Sequence, residues 1–120
     1  MRIMGLLKAD RHSEAGTPPS PELLAKMGKF MEEIGRAGVL VATDALQPSS
    51  AGARVRLSAG KITVTDGPFT ESKELVASYA MFQVKSMAEA IEWTTRFLNV
   101  LGEGECELRP LFEASDFPVQ

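Results

Sequence analysis

A chain that turns at Gly67-Pro68 cannot carry a helix or an unbroken strand through its middle. The dipeptide sits in the nonapeptide Asp66-Gly67-Pro68-Phe69-Thr70-Glu71-Ser72-Lys73-Glu74. Pro68 has no amide proton for a ladder, fixes its own φ, and drives Gly67 out of the helical region. Gly67 is expected to use its freedom at positive φ, and Asp66 to bond the backbone just ahead of it, so the segment reads as a rigid turn. β-prone runs at 61–65 and 76–84 flank it, which makes it a connection between strands. Phe69 stands at the mouth of the turn, and Glu71, Lys73 and Glu74 follow as alternating acid and base. Two readings of these side chains are open: a capped core with solvated charges, or the rim of a binding site.

The rest of the chain supplies the elements. Residues 2–8 form a short β-rich run and residues 9–19 a polar loop. Ser20-Pro21-Glu22 opens a helix, with Ser as N-cap, Pro in the first turn and an acid at the positive end of the dipole. Leu23, Met27, Phe30, Met31 and Ile34 recur at helical spacing as its buried face, and Gly38 closes it. Residues 39–46, apolar at nearly every position, predict a strand buried on both faces at its start. Residues 53–58 and 61–65 alternate around Ala59-Gly60, a hairpin with Val55 and Leu57 on one side and Ile62 and Val64 on the other. A long strand over 76–84 follows. Ser86-Met87-Ala88-Glu89 is a capping box whose helix is expected to bury Met87, Ala90, Ile91, Thr94, Phe97 and Leu98, ending at Gly102. Residues 105–111 make the last strand, with Pro110 at an edge or end.

The order is βαβ, an inserted hairpin, then βαβ again within one domain, 1–120. It predicts an α+β ferredoxin-like domain: one antiparallel sheet with both helices on one face. The other face is not strongly polar, and a second copy of the sheet would cover it, so a homodimer is expected. On the strand at 76–84, Tyr79 and Met81 share one face and Phe82 and Val84 the other. One pair packs on the helices while the other faces the dimer cavity.

The nonapeptide resembles the motif of the DGPF group within the YCII-related family. Residues 2–8, 60–65, 90–93 and 107–111 resemble that family's first strand, the strand leading into the motif, its second helix and its final strand. The resemblance implies a ferredoxin-like domain that dimerises into an α/β-barrel type of assembly with a pocket near the motif. It implies no defined reaction: members of the group are largely uncharacterised, and some are linked to alternative sigma factors only by association. In the broader family a His–Asp pair is proposed as the reactive centre, with the His on the first helix. This chain departs from that pattern, because residues 21–37 contain no His and His12, the sole histidine, precedes them.

Composition narrows the partners. A net charge of −3 argues against a general nucleic-acid surface, and Arg54 and Arg56 on one strand face read as a solvated pair. Cys106 is the only cysteine, so one chain can make neither an internal disulfide nor a thiolate zinc site. No apolar run approaches the ~20 residues of a membrane span, and a cytoplasmic location is expected. Neither a metal nor a cofactor is expected, since there is no ligand spacing, phosphate loop or nucleotide fingerprint. Asp66, Glu71 and Asp44 are the catalytic candidates, as carboxylates for acid–base work. Asp66, Phe69, Glu71, Lys73, Glu74 and Tyr79 are the candidates for holding a small-molecule ligand. The chain therefore reads as a small dimeric protein with a small-molecule pocket near the motif; whether it is an enzyme is left open, and cofactor-free acid–base chemistry is what the inventory would fit if it is one. The alternatives are a non-catalytic ligand-binding or regulatory module and a purely structural dimer partner.

Overall fold

The computed structural model describes residues 1–71 and 74–117. Strand β1 (Arg2–Lys8) leads into a short helix, α1 (Arg11–Glu14), and a long one, α2 (Pro21–Arg36). Strand β2 (Leu40–Ala45) and the hairpin of β3 (Ala53–Ser58) and β4 (Lys61–Asp66) follow. The chain then runs through β5 (Val76–Gln83), α3 (Met87–Leu101) and β6 (Cys106–Pro110). The main sheet has the order β2-β5-β1-β6 with every neighbouring pair antiparallel, while β3 and β4 form a separate two-stranded sheet. The domain is α+β, and its strand order is compatible with a ferredoxin-like fold.

Local chemistry explains the helix ends. Ser20 Oγ accepts the Leu23 amide at 3.1 Å, with Pro21 at the first helical position, and Ser86 Oγ accepts the Glu89 amide at 3.1 Å. The capping box expected at Ser86 is only half made, since the Glu89 carboxylate accepts from the Lys85 amide rather than from that of Ser86. Gly102 closes α3 in the left-handed region, φ 91°. Helix α1 lies inside the segment expected to be a polar loop. Asp10 accepts the Ser13 amide at 2.8 Å and Ser13 Oγ accepts the Asp10 amide at 2.9 Å, a reciprocal cap that nucleates one turn. The Ser13 amide also holds the Asp10 carboxyl below its ordinary range.

The core is Ile3, Phe30, Ile34, Phe82, Val84 and Ala90, between one face of the sheet and the two long helices. Register assigns the faces: Ile3 pairs with Phe82 and Gly5 with Ala80 on the helix side. Trp93 packs edge-on to Phe30, and Phe97 lies beside the same ring. Three expectations need correction. Strand β2 is an edge strand and mostly exposed, Val41 at 55%, because only β5 flanks it; its start is half-buried on one face only, where Leu40 packs on the core beside α2. Ile91 is exposed, lying one residue round α3 from the stripe that buries Ala90 and Thr94. Val55, Leu57, Ile62 and Val64 all share one face of the hairpin, because Val55 pairs with Val64 and Leu57 with Ile62. No helix among the described residues is long and apolar enough to cross a membrane.

Candidate functional site

The Gly67-Pro68 turn is clamped to a second turn, Ser49–Ala51, at the root of the hairpin. The Gly67 amide donates to Gly52 O at 2.9 Å, and the Phe69 amide donates to Ser49 Oγ at 3.0 Å. Ser49 is itself gripped by Glu14 of α1, whose carboxylate accepts from both the Ser49 hydroxyl and the Ser49 amide. Gly67 does not use positive φ, contrary to expectation; its need for glycine comes from a close approach. A Cβ there would stand 2.6 Å from the Ser49 carbonyl carbon and overlap its oxygen. The Phe69 ring lies beneath the Arg54 guanidinium, 3.9 Å from the ring centroid, so Arg54 is a packing partner as well as a surface charge.

The charged candidates of the motif are arranged differently. Asp66 ends β4 opposite Ala53 and is exposed, as are Glu71 and Glu74. Lys73 lies outside the described residues. His12 is exposed on α1. The sequence reading missed Glu14 and Ser49; their only signals were an acid in a polar segment and a serine after Pro48.

A second constellation occupies the sheet face turned away from the helices. Asp44, Tyr79, Leu6 and Glu107 are cross-strand neighbours in one row spanning all four strands. The adjacent row is Ala42, Met81, Met4 and Arg109. Tyr79 Oη donates to Asp44 Oδ2 at 3.1 Å. That bond, together with the carboxylate's charge, raises the phenol above its ordinary pKa. At the far end of the row Glu107 meets Arg109 at 3.1 Å and Lys8 at 3.2 Å, and these bonds hold its carboxyl low. The face therefore has a polar group at each end of a floor of Leu6, Met4 and Met81.

A bulge aims Asp44 at this face. Leu40 pairs with Phe82, but past Val41 the register shifts, so Ala42 meets Met81 and Asp44 meets Tyr79. Without the extra residue Asp44 would fall opposite Ser78, on the helix side. Bulges re-aim side chains in this way. The motif emerges at the same end of the sheet: Leu46 donates to Ala77 O and Ala9 to Leu75 O, a few residues from the Tyr79 row.

Among the described residues, cavities open on the helix side of the sheet, where the Tyr79 strand also contributes to the lining, and beside β1. One, of ≈ 60 Å³, sits between sheet and helices against Phe30, Ile34, Trp93 and Phe97. Thr94 Oγ1 is buried there without a hydrogen-bond partner, and burial pushes the Cys106 thiol up. The other, of ≈ 600 Å³, is an open groove beside Asp10, Ser13, Glu103 and Glu105. Neither is lined by Asp66, Phe69, Glu71 or Glu74. Among the described residues no three His, Cys, Asp or Glu side chains converge as a metal set.

The YCII-related domain matches residues 1–115. The chain is also 35% identical over 91 residues to the uncharacterized protein R00369 of Rhizobium meliloti (strain 1021), across 75% of this chain and 70% of that protein.

Proposed function

The chain belongs to the YCII-related family, and from that premise we propose a homodimer that holds a small organic molecule on the open face of its four-stranded sheet. We place it in the DGPF group and in the cytoplasm. The observation that carries the reading is the Tyr79–Asp44 hydrogen bond, set beside a half-buried apolar floor of Leu6, Met4 and Met81. Pairing of two copies over this face, as in a dimeric α/β barrel, would desolvate it and turn it into a cleft. Inside it Tyr79 would donate a proton or hydrogen bond to the ligand, and Asp44 would set the phenol's orientation. Asp66 and Glu71, at the motif end of the sheet, would stand at the rim.

Cofactor-free acid–base catalysis of an isomerase, lyase or hydrolase type fits this inventory. A second reading is a non-catalytic binder, in which the Tyr79 hydroxyl and the Asp44 carboxylate only hold the ligand; it is favoured by the absence, among the described residues, of a His–Asp pair or a convergent metal set. Light scattering tests the dimer. Ligand-observed NMR with a panel of small carboxylates and phenols tests the site. Compounds that bind the protein are expected to lose affinity for Tyr79→Phe and Asp44→Asn. Binding that is untouched by both variants would move the site away from this face.

A further inference from the structure

The hairpin of β3 and β4 is an arm with one bare side. Val55, Leu57, Ile62 and Val64 form a contiguous aliphatic stripe at 60% to 70% exposure, and among the described residues no other helix or strand packs extensively on β3 or β4. The opposite side carries Arg54, Arg56, Thr63 and Thr65. The radius of gyration, 16.8 Å, exceeds the roughly 14 Å of a compact chain of this length. The molecule is a slab of 49 × 47 × 17 Å, so the arm lies within the slab and does not fold over its own sheet face. A two-stranded hairpin alone in water is marginal, and a bare aliphatic patch of this kind marks an interface.

We propose that the arm's aliphatic stripe seats on the open sheet face of a second copy of this chain, so that each Asp44–Tyr79 site is closed by the other protomer's arm. The inference rests on the dimer reading and adds where the arm goes. Two features favour a second copy over an unrelated partner. Within 53–66 there are three cations and one acid, against ten cations and fifteen acids in the remainder, so arm and body attract. The bare stripe and the half-buried apolar floor also belong to one chain, so a single two-fold exchange would cover both on each protomer. The nonapeptide then has a definite task. Gly67, Phe69, Ser49, Glu14 and Arg54 form the shoulder that fixes the angle of the arm.

The test uses the full chain. A mixed dimer is prepared in which one protomer carries ¹³C-methyl Ile, Leu and Val and the other only ¹³C-methyl Met, both otherwise deuterated. Methyl NOEs are expected from Val55, Leu57, Ile62 or Val64 to Met4 or Met81 across protomers. Leu57→Lys with Ile62→Lys is expected to raise the dimer dissociation constant about a hundredfold or more while circular dichroism stays unchanged, since the arm is outside the core. A wild-type monomer in light scattering would overturn the dimer reading and this inference together. A dimer without cross-protomer arm NOEs, unweakened by the lysines, would overturn the inference alone. Sedimentation of monomer with phosphatidylcholine–phosphatidylserine vesicles, lost in the lysine variant, would assign the stripe to a lipid surface and also overturn it.

Discussion

Replacing Gly67 by Ala separates a close-approach glycine from a flexible one. The new Cβ would stand 2.6 Å from the Ser49 carbonyl carbon, where ordinary contact begins at 3.4 Å, so that carbon must retreat by at least roughly 0.8 Å and the oxygen that the Cβ overlaps by more. The Gly67–Gly52 and Phe69–Ser49 bonds, now 2.9 and 3.0 Å, would open beyond hydrogen-bonding distance. At about 0.5–1.5 kcal/mol each, with some loosening of the charged Ser49–Glu14 contact, the cost is about 2–3 kcal/mol. For a chain of this size that is roughly a 10 °C fall in Tm. The measurement is a urea unfolding curve beside hydrogen exchange at the Phe69 amide, which should lose its protection. Gly28→Ala is the control: Gly28 is exposed in α2 with nothing within 4 Å of its Cβ position, and alanine there should add about 0.5–1 kcal/mol. An unchanged midpoint together with a still-protected Phe69 amide in Gly67→Ala would refute the clamp.

Other outcomes follow from single contacts. Tyr79 is the only tyrosine, so phenolate absorbance reads it alone; it should titrate above the usual value of about 10, and Asp44→Asn should bring it down. Equal titrations in the two proteins would mean that the hydrogen bond is not formed in solution. Thr94→Val removes a buried hydroxyl that has no partner and should stabilise by about 1 kcal/mol in urea; a loss would reveal a bound water or another acceptor. Glu113 is held low by its bond to Arg2, so its contribution is full above the unfolded carboxyl's pKa of about 4.3 and is lost as pH falls through the lower folded value. Unfolding midpoints of Glu113→Gln should therefore fall less steeply below about pH 5 than those of the native chain.

The long helices could be read from the sequence because their signals are local: serine caps, a closing glycine and an apolar stripe. Strand β2 was misread because apolar composition does not distinguish an edge from a centre, and the order β2-β5-β1-β6 is decided by pairings remote in sequence. Helix α1 escaped because its Asp10–Ser13 cap has no apolar stripe behind it. Gly67 announced that glycine was needed, but positive φ and a close approach leave the same letter. The carbonyl that excludes a side chain belongs to Ser49, on the far side of the hairpin. Asp44 and Tyr79 were each singled out, yet nothing in the sequence joined them. Their meeting depends on the bulge at Val41, and an apolar run gives no sign of a bulge.

On the proposed reading, the two constellations divide the work between construction and ligand contact. In the nonapeptide, Gly67 and Phe69 face inward on Ser49, Glu14 and Arg54, and every polar contact described there joins parts of the protein to each other. Such a closed network resists deformation but leaves little hydrogen-bonding capacity for a ligand. The Asp44–Tyr79 pair is the reverse: a single bond, exposed, with acceptor capacity left on both oxygens of the carboxylate. Its polarity is a liability in water and an asset in a dry cleft, where the same bond strengthens as the local dielectric falls. A rigid shoulder and a weakly committed polar pair are useful together only if something brings dry surface over the pair. In the proposed dimer, the aliphatic stripe of the partner's arm, held by its own shoulder, would be that surface.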